Sequence, residues 1–253
     1  MKLLLALLAI SILLLSETGF GPCPITGRVG AASLQAQKAP GKAAAPAAAS
    51  VLAADKGKFR ILLEDQPVGS EEFEIAPSGK DWVARGTTTL RAPGSEATEV
   101  RVSMQLAADG SPISYEWSSK SQKKASATIA FTDGVAKISL NLEGATQPFV
   151  QELKFDSPRI AVLDNNVYHQ YAILARLYNW TTRGAQTFSV LIPQEATPGT
   201  ITVEDVGPQQ VGGVALELLR AKTADLEVEL YLDSSHRLIR IAVPGSKVAV
   251  VRE

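Results

Sequence analysis

Cysteine is almost missing from this chain of 253 residues, since Cys23 is the single one. No disulfide can form within one copy, so a folded domain cannot depend on covalent cross-links. The hydrophobic fraction of 45% is ordinary, and the chain is long enough to bury one substantial core. Stability must therefore come from apolar burial.

Histidine is nearly as scarce, with His169 and His236 as its two examples. Serine-type hydrolysis needs a positioned base, and no serine lies in a Gly-x-Ser-x-Gly elbow. Glu71, Glu72 and Glu74 are a weak acid-base candidate, because alternation turns Glu72 and Glu74 outward. We expect a protein that is not an enzyme.

Metal and phosphate motifs are lacking as well. No histidine spacing suits zinc, and no glycine-rich loop links a strand to a helix. Residues 164–166 read Asp-Asn-Asn but lack the remaining ligands of a calcium loop, so a helix cap is the better interpretation. The sequence predicts no cofactor and no metal site.

A charge excess of either sign is also missing. Lysine and arginine total 25 against 26 acidic residues, for a formal net charge of −1. Such a chain has no basic surplus to offset a row of phosphates, so nucleic acid is not an expected partner.

Long apolar runs are confined to the N-terminus, where Leu3 to Leu15 follow Met1-Lys2. About 13 residues are too few to span a bilayer, and the order of charge before apolar run is typical of a secretory signal. We interpret residues 1–36 as an export signal region of a periplasmic or secreted protein. An uncleaved anchor and lipidation of Cys23 are the alternatives.

Residues 37–55 are rich in alanine and proline and have few large side chains to bury, so they predict a disordered tether. Residues 56–253 then form a single β-rich domain. Within it apolar residues mostly alternate with polar ones, as in Phe59 and Ile61, and tight turns such as Asp133-Gly134 separate the runs. About a dozen strands indicate an antiparallel sheet curled into a barrel, half-barrel or sandwich.

Two strand pairings can be predicted in detail. Pairing Leu106 with Ile113 sets Met104 beside Tyr115 and Val102 beside Trp117. In the closing hairpin, Leu230 opposes Ile239 and Glu229 opposes Arg240 around a turn at 233–236. The inward residues of that hairpin are then Leu226, Val228, Leu230, Leu232, Ile239, Ile241 and Val243.

Residues 164–179 break the alternation and predict a helix, capped by Asp164 or Asn165. Its apolar arc would cover the concave side of the sheet, with His169 and Arg176 on the opposite, solvent-facing side. Aromatic residues could line an apolar pocket beside it, or simply fill the core. The candidate ligand-binding residues are Trp82, Tyr115, Trp117, Tyr168, His169, Tyr171, Leu174, Arg176 and Tyr178, with His169 and Arg176 able to grip an anionic headgroup.

The signal, the tether, the opening hairpin at 65–75 and the closing hairpin at 229–241 resemble exported bacterial envelope proteins. Those in turn are similar to the lipoprotein-carrier (LolA/LolB-like) half-barrels. The resemblance implies a curled sheet with a helical lid that holds an acyl chain. The other hypothesis is an envelope scaffold or assembly factor with a filled core, which recruits a protein partner through its surface or an edge strand.

Overall fold

The computed structural model describes residues 50–91, 96–120 and 124–253. The export signal region and residues 37–49 of the expected tether lie outside these ranges. The strands are β1 (Asp55–Leu63), β2 (Gln66–Ser78), β3 (Asp81–Leu90), β4 (Thr98–Leu106), β5 (Pro112–Lys120), β6 (Lys124–Thr132), β7 (Val135–Leu142), β8 (Phe149–Lys154), β9 (Ile160–Val162), β10 (Gln186–Ile192), β11 (Thr197–Val211), β12 (Val214–Lys222), β13 (Glu227–Leu232), β14 (Leu238–Val243) and β15 (Val248–Arg252). Helix α1 (His169–Leu177) follows β9.

All fifteen strands belong to one sheet. Strands β1 to β8 pair in chain order, β10 to β15 do the same, and β1 joins β15. Every pairing is antiparallel except that of β9 with β10. The two ends of the sheet are therefore β8 and β9, which are consecutive in the chain.

That connection forces the sheet to curl. Fifteen strands laid flat would be roughly 65 Å wide. Residues 155–159 join the two edge strands, and such a link spans at most about 20 Å. Strand β9 accordingly lies next to β5. The predicted class, a curled antiparallel sheet with one helix, is confirmed, although the strands number fifteen rather than about a dozen.

Helix α1 lies inside the curl. Side chains of β2 and β5 bond to the helix or to the loop before it, and β14 packs against its length. Seven of its nine residues are buried: His169, Gln170, Ala172, Ile173, Leu174, Ala175 and Leu177. Within the described ranges no helix is long and apolar enough to cross a bilayer.

The start of the helix differs from the prediction. Tyr168 is the N-cap residue, and it makes no side-chain capping bond. Asp164 and Asn165, the expected caps, lie in the loop before the helix. The helix is shorter than predicted because a carboxylate from the sheet satisfies its first N–H groups, as described below.

The prediction for β4 and β5 largely holds. Met104 pairs with Tyr115 and Val102 with Trp117, as expected. A register shift after Gln105 pairs Leu106 with Pro112 instead of Ile113. The turn at Asp133-Gly134 is also confirmed, because both residues have positive φ angles of 48° and 77°.

The register of the closing hairpin was predicted wrongly. Leu230 pairs with Ile241, and Glu229 lies opposite Ala242 in β14 and Arg220 in β12. The loop runs one residue longer than expected because Asp233 accepts hydrogen bonds from the backbone N–H groups of Ser235 and Arg237. A bulge then follows at Tyr231/Leu232, so Leu238 is fully buried while Ile239 and Val243 are half-buried.

Two further expectations need correction. Leu226, placed among the inward residues, is 39% exposed and precedes β13. At the other end, Leu52 belongs to the segment expected to be a tether but is only 6% exposed. Its neighbour Val51 donates its backbone N–H to the carbonyl of Ala108 at 3.0 Å. Packing against the sheet thus begins before residue 56.

Substitutions in β13 test which face is buried. Val228 is 1% exposed, so Val228→Asp should lower the free energy of unfolding by several kcal/mol, because a buried unpaired carboxylate is not solvated. Glu229→Gln should cost at most about 1 kcal/mol, since its ion pair with Arg220 is long at 4.0 Å. Thermal melts of both variants measure this difference. If Glu229→Gln were the more destabilising change, the buried and exposed faces of β13 would be the reverse of those described.

Candidate functional site

A buried polar cluster surrounds the N-terminus of α1. Its first member is Glu71, which the alternation of β2 turns inward together with Phe73 and Ile75. Glu71 is fully buried, which is rare for a carboxylate unless it has hydrogen-bond partners.

The partners of Glu71 all belong to the start of the helix. Its Oε2 accepts the backbone N–H groups of Tyr168 and His169, each at 3.0 Å. Its Oε1 lies 2.7 Å from Nδ1 of His169. Since the carboxylate accepts, we assign the proton to Nδ1. Glu71 therefore caps the helix from a strand 97 residues earlier in the chain.

His169 fits against β3 because residue 86 is glycine. A Cβ at Gly86 would meet Cε1 and Nδ1 of His169 at 2.6 and 2.7 Å, and Oε1 of Glu71 at 3.0 Å. The imidazole also stacks on Phe73, with ring centroids 5.7 Å apart, and Phe73 stacks on Phe59 at 4.9 Å. Since Phe73 pairs directly with Gly86, the imidazole packs on the inner face of two neighbouring strands.

Asp164 forms a second carboxylate centre of the cluster. Its Oδ2 accepts the hydroxyl of Tyr115 at 2.7 Å, and its Oδ1 accepts the backbone N–H groups of Asn165 and Gln194 at 3.0 Å. Its own N–H donates to the side chain of Gln170. Burial raises the pKa of Asp164 to about 6, and burial together with Asp164 raises that of Tyr115. Asp164 joins β5, the helix and the turn after β10.

Three polar side-chain atoms in and near the cluster have no hydrogen-bond partner among the described residues. They are Nε2 of His169, Nε2 of Gln170 and Nε1 of Trp117. The imidazole of His169 is fully buried. The described residues also contain no group of three or more histidine, cysteine or acidic side chains arranged to hold a metal ion.

Most of the candidate ligand-binding residues lie in the packed core. Tyr115, Trp117, Tyr168, His169, Leu174 and Tyr178 are between 0 and 8% exposed, while Trp82, Tyr171 and Arg176 are half-buried. The expectation that His169 shares a solvent-facing side with Arg176 is wrong. It fails because the curled sheet surrounds the helix on more than one side.

Arg176 lies at a different place, beside a small cleft near the C-terminal part of α1. Leu52, Ile75, Ile173 and Leu238 supply apolar walls, and Arg176, His236 and Arg237 supply polar ones. The cavity has a volume of about 10 Å³, enough for roughly one water molecule. His236 stacks on Trp180 with ring centroids 3.8 Å apart, and burial and the charge of Arg176 lower the pKa of His236.

Besides the buried cluster and the small cleft, the edge strand β8 is a candidate binding surface. Phe149 and Val150 are 51% and 54% exposed, and they are two of the five large apolar residues exposed in the described chain. The edge at β9 differs, because its three residues are at most 4% exposed. Among the residues that the structure describes, the sheet therefore has one covered edge and one open edge.

The open edge presents its backbone in a defined pattern. Phe155 donates its N–H to Gly134, which continues the β7–β8 ladder and fixes which residues face β7. In an antiparallel pair, the backbone N–H and C=O groups of successive residues point alternately towards and away from the neighbouring strand. Those of Phe149, Gln151 and Leu153 therefore bond to β7. The N–H and C=O groups of Val150, Glu152 and Lys154 point away from the sheet.

Comparisons with known proteins bear on the fold. No protein-family model matches the chain, and no curated protein matches it. A solved structure, the β-barrel-like protein of domain of unknown function DUF1849 from Brucella abortus, superposes with a TM-score of 0.53. That likeness covers 81% of this chain and 97% of the other at 11% identity. The protein is thus a mainly β, β-barrel-like protein, and the comparison reaches no further than the fold.

Sequence reasoning placed Glu71 on the inward face but did not recognise it as the anchor of the helix. The available signal was a charged residue in register with Phe73 and Ile75 on an otherwise apolar face. The small residues Ala84 and Gly86 in β3 were a second signal, since small residues within a strand indicate either a bend or a close approach by another layer. The structure identifies that layer as His169.

Gly86 offers a test of how tightly the cluster is packed. Gly86→Ala should destabilise the protein by about 1–3 kcal/mol, because the new methyl group overlaps a buried imidazole that cannot move aside. Gly199→Ala is the matched control, since a Cβ there meets nothing within 4 Å. Chemical denaturation should separate the two, and equal stability of both variants would contradict the close contact.

The pKa of Asp164 predicts a pH dependence. Between about pH 4 and pH 6 the folded state holds this proton and the unfolded state has lost it, so the contribution of Asp164 to stability falls as pH rises. The difference in unfolding free energy between the wild type and Asp164→Asn should therefore decrease by up to roughly 3 kcal/mol across that window. Urea denaturation at several pH values measures it, and a difference that rises with pH would refute the assignment.

Proposed function

We propose that the protein is an exported, non-enzymatic β-barrel-like scaffold that binds a protein partner by adding a strand to β8. The observation that carries this proposal is the open edge, where three residues direct unpaired backbone groups outward beside exposed Phe149 and Val150. Strand addition supplies main-chain hydrogen bonds for affinity, and neighbouring side chains for specificity. The export assignment rests on the N-terminal sequence pattern.

The edge has features that suit controlled pairing rather than aggregation. It is six residues long, Pro148 precedes it, and Glu152 and Lys154 are charged. Short length, proline and charges are the usual means of preventing indiscriminate edge-to-edge aggregation, and they still permit pairing with one complementary strand. A partner strand can therefore pair with β8 only over a short segment, and its backbone N–H and C=O groups must match the outward-facing ones of β8.

The non-enzymatic part of the proposal is supported by the cluster at Glu71. Its imidazole is buried and its hydrogen bonds hold the helix in place. In an enzyme, the residues around such a cluster would contact a substrate. In this protein they are packed in the core.

Binding of an acyl chain, which the resemblance to lipoprotein carriers implies, is the second candidate. The cleft at Leu52 favours it, because apolar walls meet the guanidinium of Arg176. However, its volume of about 10 Å³ is far below the several hundred Å³ of ordinary ligand pockets. None of the candidate aromatic residues lines this cleft.

A photo-reactive amino acid at position 152, expressed in the host, tests strand addition. We expect one or more discrete protein adducts, and we expect Val150→Pro to remove them. Proline at 150 eliminates an outward N–H while the bonds to β7 remain, so the fold should persist. The same photo-reactive group at Glu72, on the outward face of central strand β2, is the position control and should give no such adducts.

Adducts that persist in the Val150→Pro variant would contradict strand addition. Native mass spectrometry of protein purified from the host membrane fraction tests the second candidate in parallel. We expect no stoichiometric lipid and no displacement of a fluorescent fatty acid, whereas a co-purified lipid would favour acyl-chain binding over the scaffold.

A further inference from the structure

We propose that the strand added at β8 is the β8 strand of a second copy of this chain, antiparallel and centred on Gln151. This inference rests on the proposed strand addition and deepens it by naming the partner. It follows from the number of open edges, from the backbone pattern and from the side chains of β8.

The number of open edges limits the assembly to a dimer. Strand β9 is buried and lies next to β5, so it cannot accept another strand without uncurling the sheet. A chain with a single open edge can pair once with an identical edge around a twofold axis. That contact is closed, whereas two open edges would permit fibres.

The backbone pattern restricts the register. A new ladder must join outward-facing residues on both chains, which means Val150, Glu152 or Lys154 with one of the same three. A twofold axis perpendicular to the sheet can then pass through any residue from Val150 to Lys154. The axes at Val150 and Lys154 join only the end residues of β8, which leaves the axes at Gln151, Glu152 and Leu153 as the three central registers.

Side chains select among the three registers. An axis through Glu152 sets two like charges directly opposite each other, which is destabilising. An axis through Leu153 pairs Glu152 with Lys154 favourably but uses only the last three residues of β8 and leaves Phe149 and Val150 exposed.

An axis through Gln151 uses five residues of each strand. Phe149 then lies opposite Leu153 of the second copy, and Val150 opposite Glu152. The first is a non-hydrogen-bonded pair, in which side chains approach most closely. Glu152 keeps its contact with Lys137, whose Nζ lies 3.8 Å from its carboxylate. This register covers both exposed apolar residues and places no like charges directly opposite each other.

Cysteine scanning distinguishes the registers. In purified protein with Cys23→Ser, which removes the natural thiol, single cysteines are introduced as Gln151→Cys, Glu152→Cys and Leu153→Cys. Residues on the axis of a non-hydrogen-bonded pair have Cα atoms about 4.5 Å apart, within the range of a disulfide. We expect Gln151→Cys to oxidise to a covalent dimer at least tenfold faster than the other two variants.

The dimer should also require the outward backbone groups. Light scattering of the Cys23→Ser protein should show a monomer–dimer equilibrium that shifts towards dimer with concentration. Val150→Pro should shift it to monomer, whereas Val150→Ala, which keeps the N–H, should retain dimers. Circular dichroism checks that the fold of each variant is intact.

Equal oxidation rates at the three positions, or monomers at every concentration, would overturn pairing between copies. The proposed function would survive that result if position 152 still formed adducts with another protein in the host and Val150→Pro removed them. The proposed function would fail if Val150→Pro left those adducts unchanged. Faster oxidation at Leu153→Cys would overturn the Gln151 register.

Discussion

The carboxylate of Glu71 is the contact on which the interior of this protein depends. It is buried, and it accepts two backbone N–H groups and the imidazole of His169 from the start of α1. A buried carboxylate without these partners would cost several kcal/mol, and the first turn of the helix would lose its acceptors. The sheet and the helix therefore satisfy each other's polar groups.

The short link between β8 and β9 explains why such a contact exists. It draws the two ends of a fifteen-stranded sheet together, and the resulting curl encloses the helix. Because β9 turns inward beside β5, its edge is covered, while β8 remains outside with its edge open. One constraint thus produces both the enclosed helix and the open edge that we propose as a docking surface.

Much of the sheet could be predicted because side-chain alternation is a local property. It gave the inward faces of β2, β4 and β5, and it placed Glu71 beside Phe73. The environment of His169 could not be predicted by assigning one buried face to the helix, because a curled sheet covers several faces. The start of α1 depends on Glu71 from a distant strand. The register of the last hairpin depends on the hydrogen bonds of Asp233 inside its loop, which side-chain alternation does not encode.

A double-mutant cycle between Glu71 and His169 tests the central contact most directly. Unfolding free energies are measured for Glu71→Ala, His169→Ala and the double variant, with Glu72→Ala and His169→Ala as the control pair, because Glu72 is exposed on the same strand. We predict a coupling of about 1.5–3 kcal/mol for Glu71 with His169, since Glu71→Ala leaves the buried imidazole without its acceptor and His169→Ala leaves the buried Oε1 of Glu71 without its donor. The control pair should show a coupling near zero. Additive effects of Glu71→Ala and His169→Ala would contradict the view that this carboxylate holds the helix in the sheet.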